Sequence, residues 1–240
     1  LQLFKKQGLK FELGAAVEGV KVKDGQAVVS IKDHEPIKAD RVLVAVGRKP
    51  VTEGLGLETA GVELDERGFI KTDDHNRAAE GIWAVGDVAG GAMLAHKATD
   101  EAVAVVERLA GKAGHFDASL VPGVCYTDPE IAGVGRTEEQ LKEDGVPYRK
   151  GVYGFRANGR ALALGRPDGR VKVLAHQETD RVLGVHIIGP RAGDLIAEAT
   201  ASMAFGASAE DIGAVCHAHP TLSEVLHEAA LGAFDRPLHG

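Results

Sequence analysis

Near its carboxyl end the chain carries a histidine and a carboxylate five residues apart, in the run Cys-His-Ala-His-Pro-Thr-Leu-Ser-Glu at 216–224. An imidazole that a carboxylate orients is a general base whose pKa suits thiol chemistry near neutral pH. Pro220 restricts the backbone of the residue before it, and so it limits how the side chain of His219 leaves the loop. The run is therefore a candidate for acid–base chemistry by His219 and Glu224.

Both residues also have ordinary interpretations. Thr221 is a good N-cap and stands three residues before Glu224, which fits a capping box in which the carboxylate accepts from the backbone N–H of Thr221. His219 could be a loop histidine in front of a helix. Cys216, His217 and His219 could also bind a metal, but a competent site needs further ligands, and we expect no metal here.

A second candidate residue is Asp87, which follows a predicted buried strand at 81–85 and precedes the turn Gly90-Gly91 and a helix. Ligands of open α/β sheets bind at this edge, beyond the carboxyl ends of the strands. A carboxylate there can accept hydrogen bonds from ligand hydroxyls, and the helix N-terminus offers N–H groups to an anion such as a reduced flavin. Asp87 could equally cap the helix or the turn.

Two longer strings carry a family resemblance. Residues 86–98 read Gly-Asp-Val-Ala-Gly-Gly-Ala-Met-Leu-Ala-His-Lys-Ala and closely resemble the second flavin-binding motif of the two-dinucleotide-domain disulfide reductases. Glutathione reductases typically carry Thr-Pro in place of Ala95-His96, so this string points to the lipoamide dehydrogenase family. The run at 216–224 resembles the C-terminal active-site motif of the same family almost residue for residue.

The resemblance implies FAD and NAD as cofactors. Asp87 would bind the ribityl chain of FAD, and backbone groups around Met93, Leu94 and Ala95 would face the pyrimidine part of the flavin. The string Val-Gly-Arg-Lys-Pro around Gly47 resembles the end of the family's NAD-binding domain, near the nicotinamide cofactor. A turn that simply ends a strand would read the same way.

The resemblance also implies the chemistry of the C-terminal run. His219 would be the acid/base group for a dithiol, Glu224 would orient it and stabilise its protonated form, and His217 would have a supporting role. In this family the motif acts across a homodimer, on the redox disulfide of the partner subunit. The substrate would be a lipoyl group on the lipoyl domain of a 2-oxoacid dehydrogenase complex, with a glutathione-like disulfide as the alternative.

Half of the machinery of such an enzyme is missing from the sequence. It contains no Gly-x-Gly-x-x-Gly after a predicted strand, no Cys-x4-Cys pair and no second glycine fingerprint. The opening at Leu1, with no methionine and no signal peptide, resembles the middle of a longer polypeptide, although processing would give the same opening. Because FAD needs many contacts to offset its binding costs, we expect residues 1–240 alone to be inactive.

Composition excludes several classes of function. The chain has 240 residues, 44% hydrophobic and 26% charged, with a net charge of −7 and no cluster of basic residues, which argues against nucleic-acid binding. No apolar stretch is long enough for a membrane span. The two cysteines, Cys125 and Cys216, exclude a disulfide framework and favour a reducing compartment, so we expect a cytoplasmic protein.

Hydrophobic patterns predict the elements that must position these residues. A helix ends at Gly8, a hairpin turns at Asp24-Gly25, and apolar runs at 41–46 and 81–85 indicate strands that are buried on both faces. A helix is predicted from 93 or 94 to 109. The second half is predicted to hold strands at 121–127, 131–135, 148–155, 161–165, 171–177 and 182–188, a short helix that opens at Thr137, and helices at 191–205, 208–215 and 221–233.

The predicted fold class is an α/β remnant of two dinucleotide-binding, Rossmann-like domains followed by an α+β interface domain. We expect the end of an NAD-binding domain at 1–48, the second part of a flavin-binding region at 49–117, and a dimerisation domain at 118–240.

A competing hypothesis is a non-catalytic assembly module. The predicted helices at 191–205 and 221–233 carry enough apolar residues for an obligate dimer seam. The residues expected at that seam are Leu195, Ile196, Ala199, Met203, Leu222, Val225, Leu226 and Ala229.

Overall fold

The computed structural model describes residues 1–239. The chain divides into two units, Leu1–Lys49 and Pro50–Gly240, and the predicted boundaries at 48 and 117 stay predictions. Its helices and strands are α1 (Gln2–Lys6), β1 (Val17–Lys23), β2 (Gln26–Ile31), β3 (Ile37–Ala39), β4 (Arg77–Ala79), β5 (Ile82–Trp83), α2 (Ala95–Leu109), β6 (Gly123–Cys125), β7 (Glu130–Gly135), α3 (Glu138–Glu143), β8 (Tyr148–Gly154), α4 (Gly159–Ala163), β9 (Arg170–His176), β10 (Val182–Gly189), α5 (Ala192–Ala204), α6 (Ala209–Ala214) and α7 (Glu224–Gly232).

The first unit contains a three-stranded antiparallel sheet in the order β1-β2-β3. Its hairpin turns at Asp24 and Gly25, whose φ angles of 51° and 78° are both positive, as a two-residue type I′ turn requires. The predicted hairpin is therefore confirmed.

The prediction of a buried strand at 41–46 is wrong. These residues form no strand, and their side chains are exposed, with Val46 at 93%. A strand is buried on both faces only when it pairs with neighbours and is covered by helices, and none of the described strands pairs with this segment. An apolar run alone does not supply those neighbours.

The first part of the second unit leads into α2. The strand predicted at 81–85 is reduced to β5, two residues that pair with β4, and a small core of Val62, Ile70 and Ala84 packs beside it. A 3-10 turn at Gly86–Ala89 follows, and then α2, which confirms the helix predicted here.

The rest of the second unit is a five-stranded antiparallel sheet with helices packed on it. The strand order is β6-β7-β10-β9-β8, and α5 and α7 contribute buried side chains to the same core as β7, β9 and β10. The capping box predicted at Thr137 is present, with both of its hydrogen bonds. Among residues 1–239, no helix has the length and apolar character that a membrane crossing requires.

The strand predicted at 161–165 is wrong, because α4 covers residues 159–163 instead. Asn158 starts this helix: its side-chain Oδ1 accepts a hydrogen bond from the backbone N–H of Ala161 at 2.8 Å. The alternation of Ala and Leu fits a strand, but the N-cap determines the local structure.

The prediction of a dimer seam on α5 and α7 is also wrong. Most of the side chains proposed for it are already buried within this chain, so they are not free to cover a partner. The buried ones are Ile196, Ala199, Met203, Leu222, Val225, Leu226 and Ala229, and the partly buried Leu195 packs against them.

Candidate functional site

His219 and Glu224 are hydrogen-bonded to each other. His219 lies in the loop between α6 and α7, Glu224 is the first residue of α7, and His219 Nδ1 is 2.8 Å from Glu224 Oε1. The His219 side chain is 76% exposed and that of Glu224 is 19% exposed. The peptide bond between His219 and Pro220 is cis. The pair therefore presents its imidazole outward from a largely covered carboxylate.

The hydrogen bond expected from the Thr221 backbone to Glu224 forms together with the pairing, but Thr221 is not the N-cap, because α7 begins at Glu224 and its N-cap is Ser223. The second oxygen of Glu224, Oε2, accepts a hydrogen bond from the backbone N–H of Thr221 at 2.7 Å. The Thr221 hydroxyl does not complete the box, since it donates to the carbonyl of Ala218 at 2.7 Å. Each carboxylate oxygen thus has its own donor, and the two roles do not compete.

These contacts keep Glu224 ionised. Burial raises its pKa, but the hydrogen bonds from the Thr221 N–H and from His219 outweigh burial, and the pKa lies below its ordinary value. An ionised carboxylate only accepts, so Nδ1 of His219 carries the hydrogen in this pair. The exposed Nε2 then has a lone pair with which it can take a proton.

Asn158 holds the loop in place, and the sequence reasoning missed it. Its Nδ2 donates to the carbonyl of Thr221 at 2.9 Å while its Oδ1 caps α4, and the side chain is buried. The same Thr221 donates to Glu224. A preference for Asn at N-caps could have revealed the cap, but nothing in the sequence indicates the contact with Thr221.

His217 forms a second histidine–glutamate pair. Its Nε2 lies 2.7 Å from Oε1 of Glu198 on α5, and its Nδ1 lies 2.9 Å from the carbonyl oxygen of Val215. Both partners are acceptors, so the imidazolium form satisfies both nitrogens. The ring is buried, and it ties the loop that carries His219 to α5.

The alternative of a metal site has no ligand cluster to support it. Within residues 1–239, no group of three or more His, Cys, Asp and Glu side chains is arranged to hold a metal ion. His217 and His219 each face a different glutamate, and Cys216 is an exposed free thiol.

The segment proposed for the flavin runs from the 3-10 turn into α2. Asp87 is half-buried in that turn, and Gly90 and Gly91, with φ of 79° and 70°, bend the chain toward the helix. The N-cap of α2, Leu94, has no side-chain hydrogen bond, and no acidic residue stands in the first turn. The N–H groups at this helix end suit an electron-rich ligand atom.

The remaining predicted residues lie in different parts of the structure. Met93 and Leu94 are half-buried and Ala95 is exposed, next to one another at the start of α2. Gly47 belongs to the first unit, is exposed, and has a φ of 123°, a conformation that favours glycine. The structure brings His219 and Glu224 into contact, while the cofactor roles of the other residues stay predictions.

Two family models match the chain. The one described as "Pyridine nucleotide-disulphide oxidoreductase" matches residues 1–102, and the one described as "Pyridine nucleotide-disulphide oxidoreductase, dimerisation domain" matches residues 121–230.

Individual proteins are similar as well. Dihydrolipoyl dehydrogenase of Cupriavidus necator is 52% identical over 239 residues, which are 98% of this chain and 50% of that protein. The mitochondrial dihydrolipoyl dehydrogenase of Pisum sativum is 49% identical over 240 residues, 98% of this chain and 48% of that protein. The crystal structure of LpdA from Mycobacterium tuberculosis has a TM-score of 0.88 at 26% identity and covers 95% of this chain and 50% of its own. The chain spans about half the length of the curated relatives it matches.

Proposed function

Because the chain belongs to the pyridine nucleotide-disulphide oxidoreductase family, we propose that it supplies the acid–base half of an FAD-dependent dihydrolipoamide dehydrogenase. The observation that carries the proposal is the His219–Glu224 hydrogen bond, which lies within the motif where the family resemblance requires it. The relatives named dihydrolipoyl dehydrogenase favour a lipoyl substrate over a glutathione-like disulfide.

His219 would act on the thiol of a dihydrolipoyl group. Its Nε2 would take the thiol proton, and the negative charge of Glu224 would stabilise the imidazolium that forms. The thiolate would then attack a disulfide, forming one S–S bond as the other breaks and releases a thiolate. Cys125 and Cys216 are free cysteines, so a redox disulfide has to come from another part of the full-length protein.

The proposed FAD site is the loop around Asp87 and the start of α2. The Asp87 carboxylate would accept from ribityl hydroxyls, and the backbone of Met93, Leu94 and Ala95 would meet the pyrimidine part of the ring. The uncapped helix end fits this assignment, since it offers N–H groups where a reduced flavin holds negative charge. When bound, FAD supplies the two-electron acceptor between the dithiol and NAD, and we place Gly47 near that NAD.

The proposal extends to partners and location. The match to a dimerisation domain supports a homodimer, in which His219 would serve the disulfide of the partner subunit. The substrate would arrive on the lipoyl domain of a 2-oxoacid dehydrogenase complex. We also propose a cytoplasmic location, which rests on the low cysteine content, although the pea relative is mitochondrial. The assembly-module alternative keeps the support of the dimerisation-domain match, but the seam residues first expected for it are buried in the core of this chain.

The test is His219→Gln in the full-length protein. We expect the reduction of the enzyme by dihydrolipoamide to slow by about 10²–10⁴-fold, the usual contribution of an acid/base group. His34→Gln, at an exposed histidine of the first unit, is the matched control and should leave the rate unchanged. An unchanged rate in His219→Gln would remove the catalytic role.

A further inference from the structure

Helix α2 contains an ion pair that is buried almost completely. Lys97 and Glu101 lie one turn apart, and they are 4% and 5% exposed. Lys97 Nζ is 2.8 Å from Glu101 Oε1. Exposed pairs at this spacing contribute little to stability, and burial adds a desolvation penalty that apolar residues of similar volume avoid. The stability of the helix therefore does not explain why an ion pair occupies this buried position.

All remaining bonds of this pair go to the backbone of the loop before α2. Glu101 Oε2 accepts from the N–H of Gly86 at 2.7 Å. Lys97 Nζ donates to the carbonyls of Gly86 at 3.1 Å and Gly90 at 2.8 Å. The ammonium group thus has three acceptors for its three hydrogens, and the two side chains hold both ends of the 86–90 loop.

The fit between loop and helix is close. Gly86 has a φ of 78°, and a Cβ at that position would lie 3.1 Å from the Cβ of Ala98 on α2. A charged network with every partner satisfied defines one backbone arrangement, whereas apolar contacts would allow several. Asp87 lies inside the loop that this network holds.

We infer that the Lys97–Glu101 pair is a positioning device that fixes the 86–90 loop, and with it Asp87, in the conformation that receives the ribityl chain of FAD. The inference rests on the proposed function. Neither side chain is assigned a contact with the cofactor; both act through the backbone of Gly86 and Gly90.

The test compares full-length proteins that carry Lys97→Met with Glu101→Leu, or Asp100→Asn. The double substitution replaces the buried pair by apolar groups of similar size, which commonly preserves stability. Asp100→Asn removes an exposed charge from the same helix and is the control. We expect the double variant to bind FAD at least about tenfold more weakly, as judged by its dissociation constant, and the control to bind like the unmodified protein.

A second readout works on the protein without FAD. The N–H of Gly90 donates to the carbonyl of Asp87 at 3.3 Å and touches neither side chain of the pair, so its hydrogen exchange reports the order of the loop. We expect faster exchange at Gly90 in the double variant. FAD binding as tight as in the unmodified protein, with unchanged exchange, would overturn the inference.

Two further outcomes are separable. If the double variant does not fold, the isosteric Glu101→Gln variant tests the inference instead. It leaves Lys97 without its counter-charge and should also weaken FAD binding. If the unmodified full-length protein binds no FAD, the proposed function fails. The exchange at Gly90 still shows, in that case, whether the pair orders the loop.

Discussion

The carboxylate of Glu224 makes both of the contacts expected from the sequence, one with His219 and one with the backbone of Thr221. The motif indicates an orienting group for His219, and the spacing from Thr221 indicates a cap. The structure assigns one oxygen to each, at 2.8 Å and 2.7 Å. The hydrogen bond from the Thr221 N–H also fixes the carboxylate, and a fixed acceptor holds the imidazole in one orientation.

Asn158 provides a test of this arrangement at a residue that we assign no contact with substrate. In Asn158→Asp, one oxygen still caps α4 while the other replaces the donor that faces the carbonyl of Thr221. Leaving that buried group unpaired should lower the free energy of unfolding by about 1–3 kcal/mol, measured by chemical denaturation. In the full-length protein, reduction by dihydrolipoamide should also slow, because the loop that holds His219 loosens.

The control for this prediction is Thr137→Ala, which removes the cap of α3. It should lower the unfolding free energy by about 1 kcal/mol without slowing the reaction. Equal slowing in both variants would mean that the rate follows stability and that Asn158 has no positioning role.

The site could be predicted from sequence only where its residues are close along the chain. His219 and Glu224 belong to one short motif, and their bond follows from local geometry. Asn158 and Thr221 are 63 residues apart, and their contact depends on how α4 packs against the loop. Such a contact leaves no local pattern, and from sequence Asn158 lies only in the connection between the strands predicted at 148–155 and 161–165.

At the scale of elements, α7 is placed by its close approach to β8. Gly151 of β8 lies against the backbone of α7, where a Cβ would overlap the carbonyl oxygen of Ala229 and the backbone nitrogen of Ala233. Gly151→Ala should therefore push α7, which carries Glu224, away from the sheet. We expect a loss of about 1–3 kcal/mol in the free energy of unfolding, measured in urea.

Gly159→Ala is the matched control for that prediction. A Cβ at Gly159 meets nothing within 4 Å, and the residue lies in α4, where alanine is the better helix former. Its stability should be unchanged or slightly higher. Equal stability of the two variants would contradict the close packing of α7 on β8.

Glu138 links α3 to the same sheet and predicts a pH dependence. Its carboxylate accepts from the Tyr148 hydroxyl, Lys150 and Lys172. The hydrogen bond from Tyr148, followed by those from the lysines, lowers its pKa from 4.5 to about 2. Because the folded pKa is depressed, the ionised carboxylate stabilises the protein above pH 4.5, and that contribution is lost as the pH falls through about 2.

Glu138→Gln should therefore be less stable than the unmodified chain at pH 7, and the difference should shrink as the pH is lowered. Free energies of unfolding measured from pH 7 down through the pKa of Glu138 check this expectation. Glu139→Gln, at the exposed neighbour on α3, should show no such convergence. A stability difference in Glu138→Gln that is independent of pH would contradict the assigned network.

Elements with local signals were predicted well, and those that depend on neighbours were not. The type I′ hairpin, the capping box of α3 and the helix α2 each follow from residues within a few positions. The segment 41–46 is as apolar as a buried strand, but it forms none, since burial depends on the strands beside it. A hydrophobic pattern thus indicates that a segment can be buried, and the neighbouring elements determine whether it is buried in the folded protein.

For the whole molecule, the chain contains one of the two halves of the proposed chemistry. His219 and Glu224 can move a proton, but Cys125 and Cys216 are both free cysteines. Asp87 and the start of α2 would meet only part of an FAD molecule. The glycine fingerprints that hold a dinucleotide pyrophosphate do not occur in the sequence.

Because the chain contains only part of the proposed FAD site, we expect purified residues 1–240 to carry no bound flavin. A large ligand needs many contacts to offset the entropy that it loses on binding, and the contacts at Asp87 and α2 are too few. The visible absorption spectrum of residues 1–240 alone should therefore lack a flavin band after gel filtration with added FAD, while the full-length protein should retain the cofactor. Stoichiometric flavin on residues 1–240 alone would show that this part holds FAD without a pyrophosphate site. Because the His219–Glu224 pair needs no flavin to form, a colourless chain would still allow its geometry to be tested by NMR of the imidazole nitrogens.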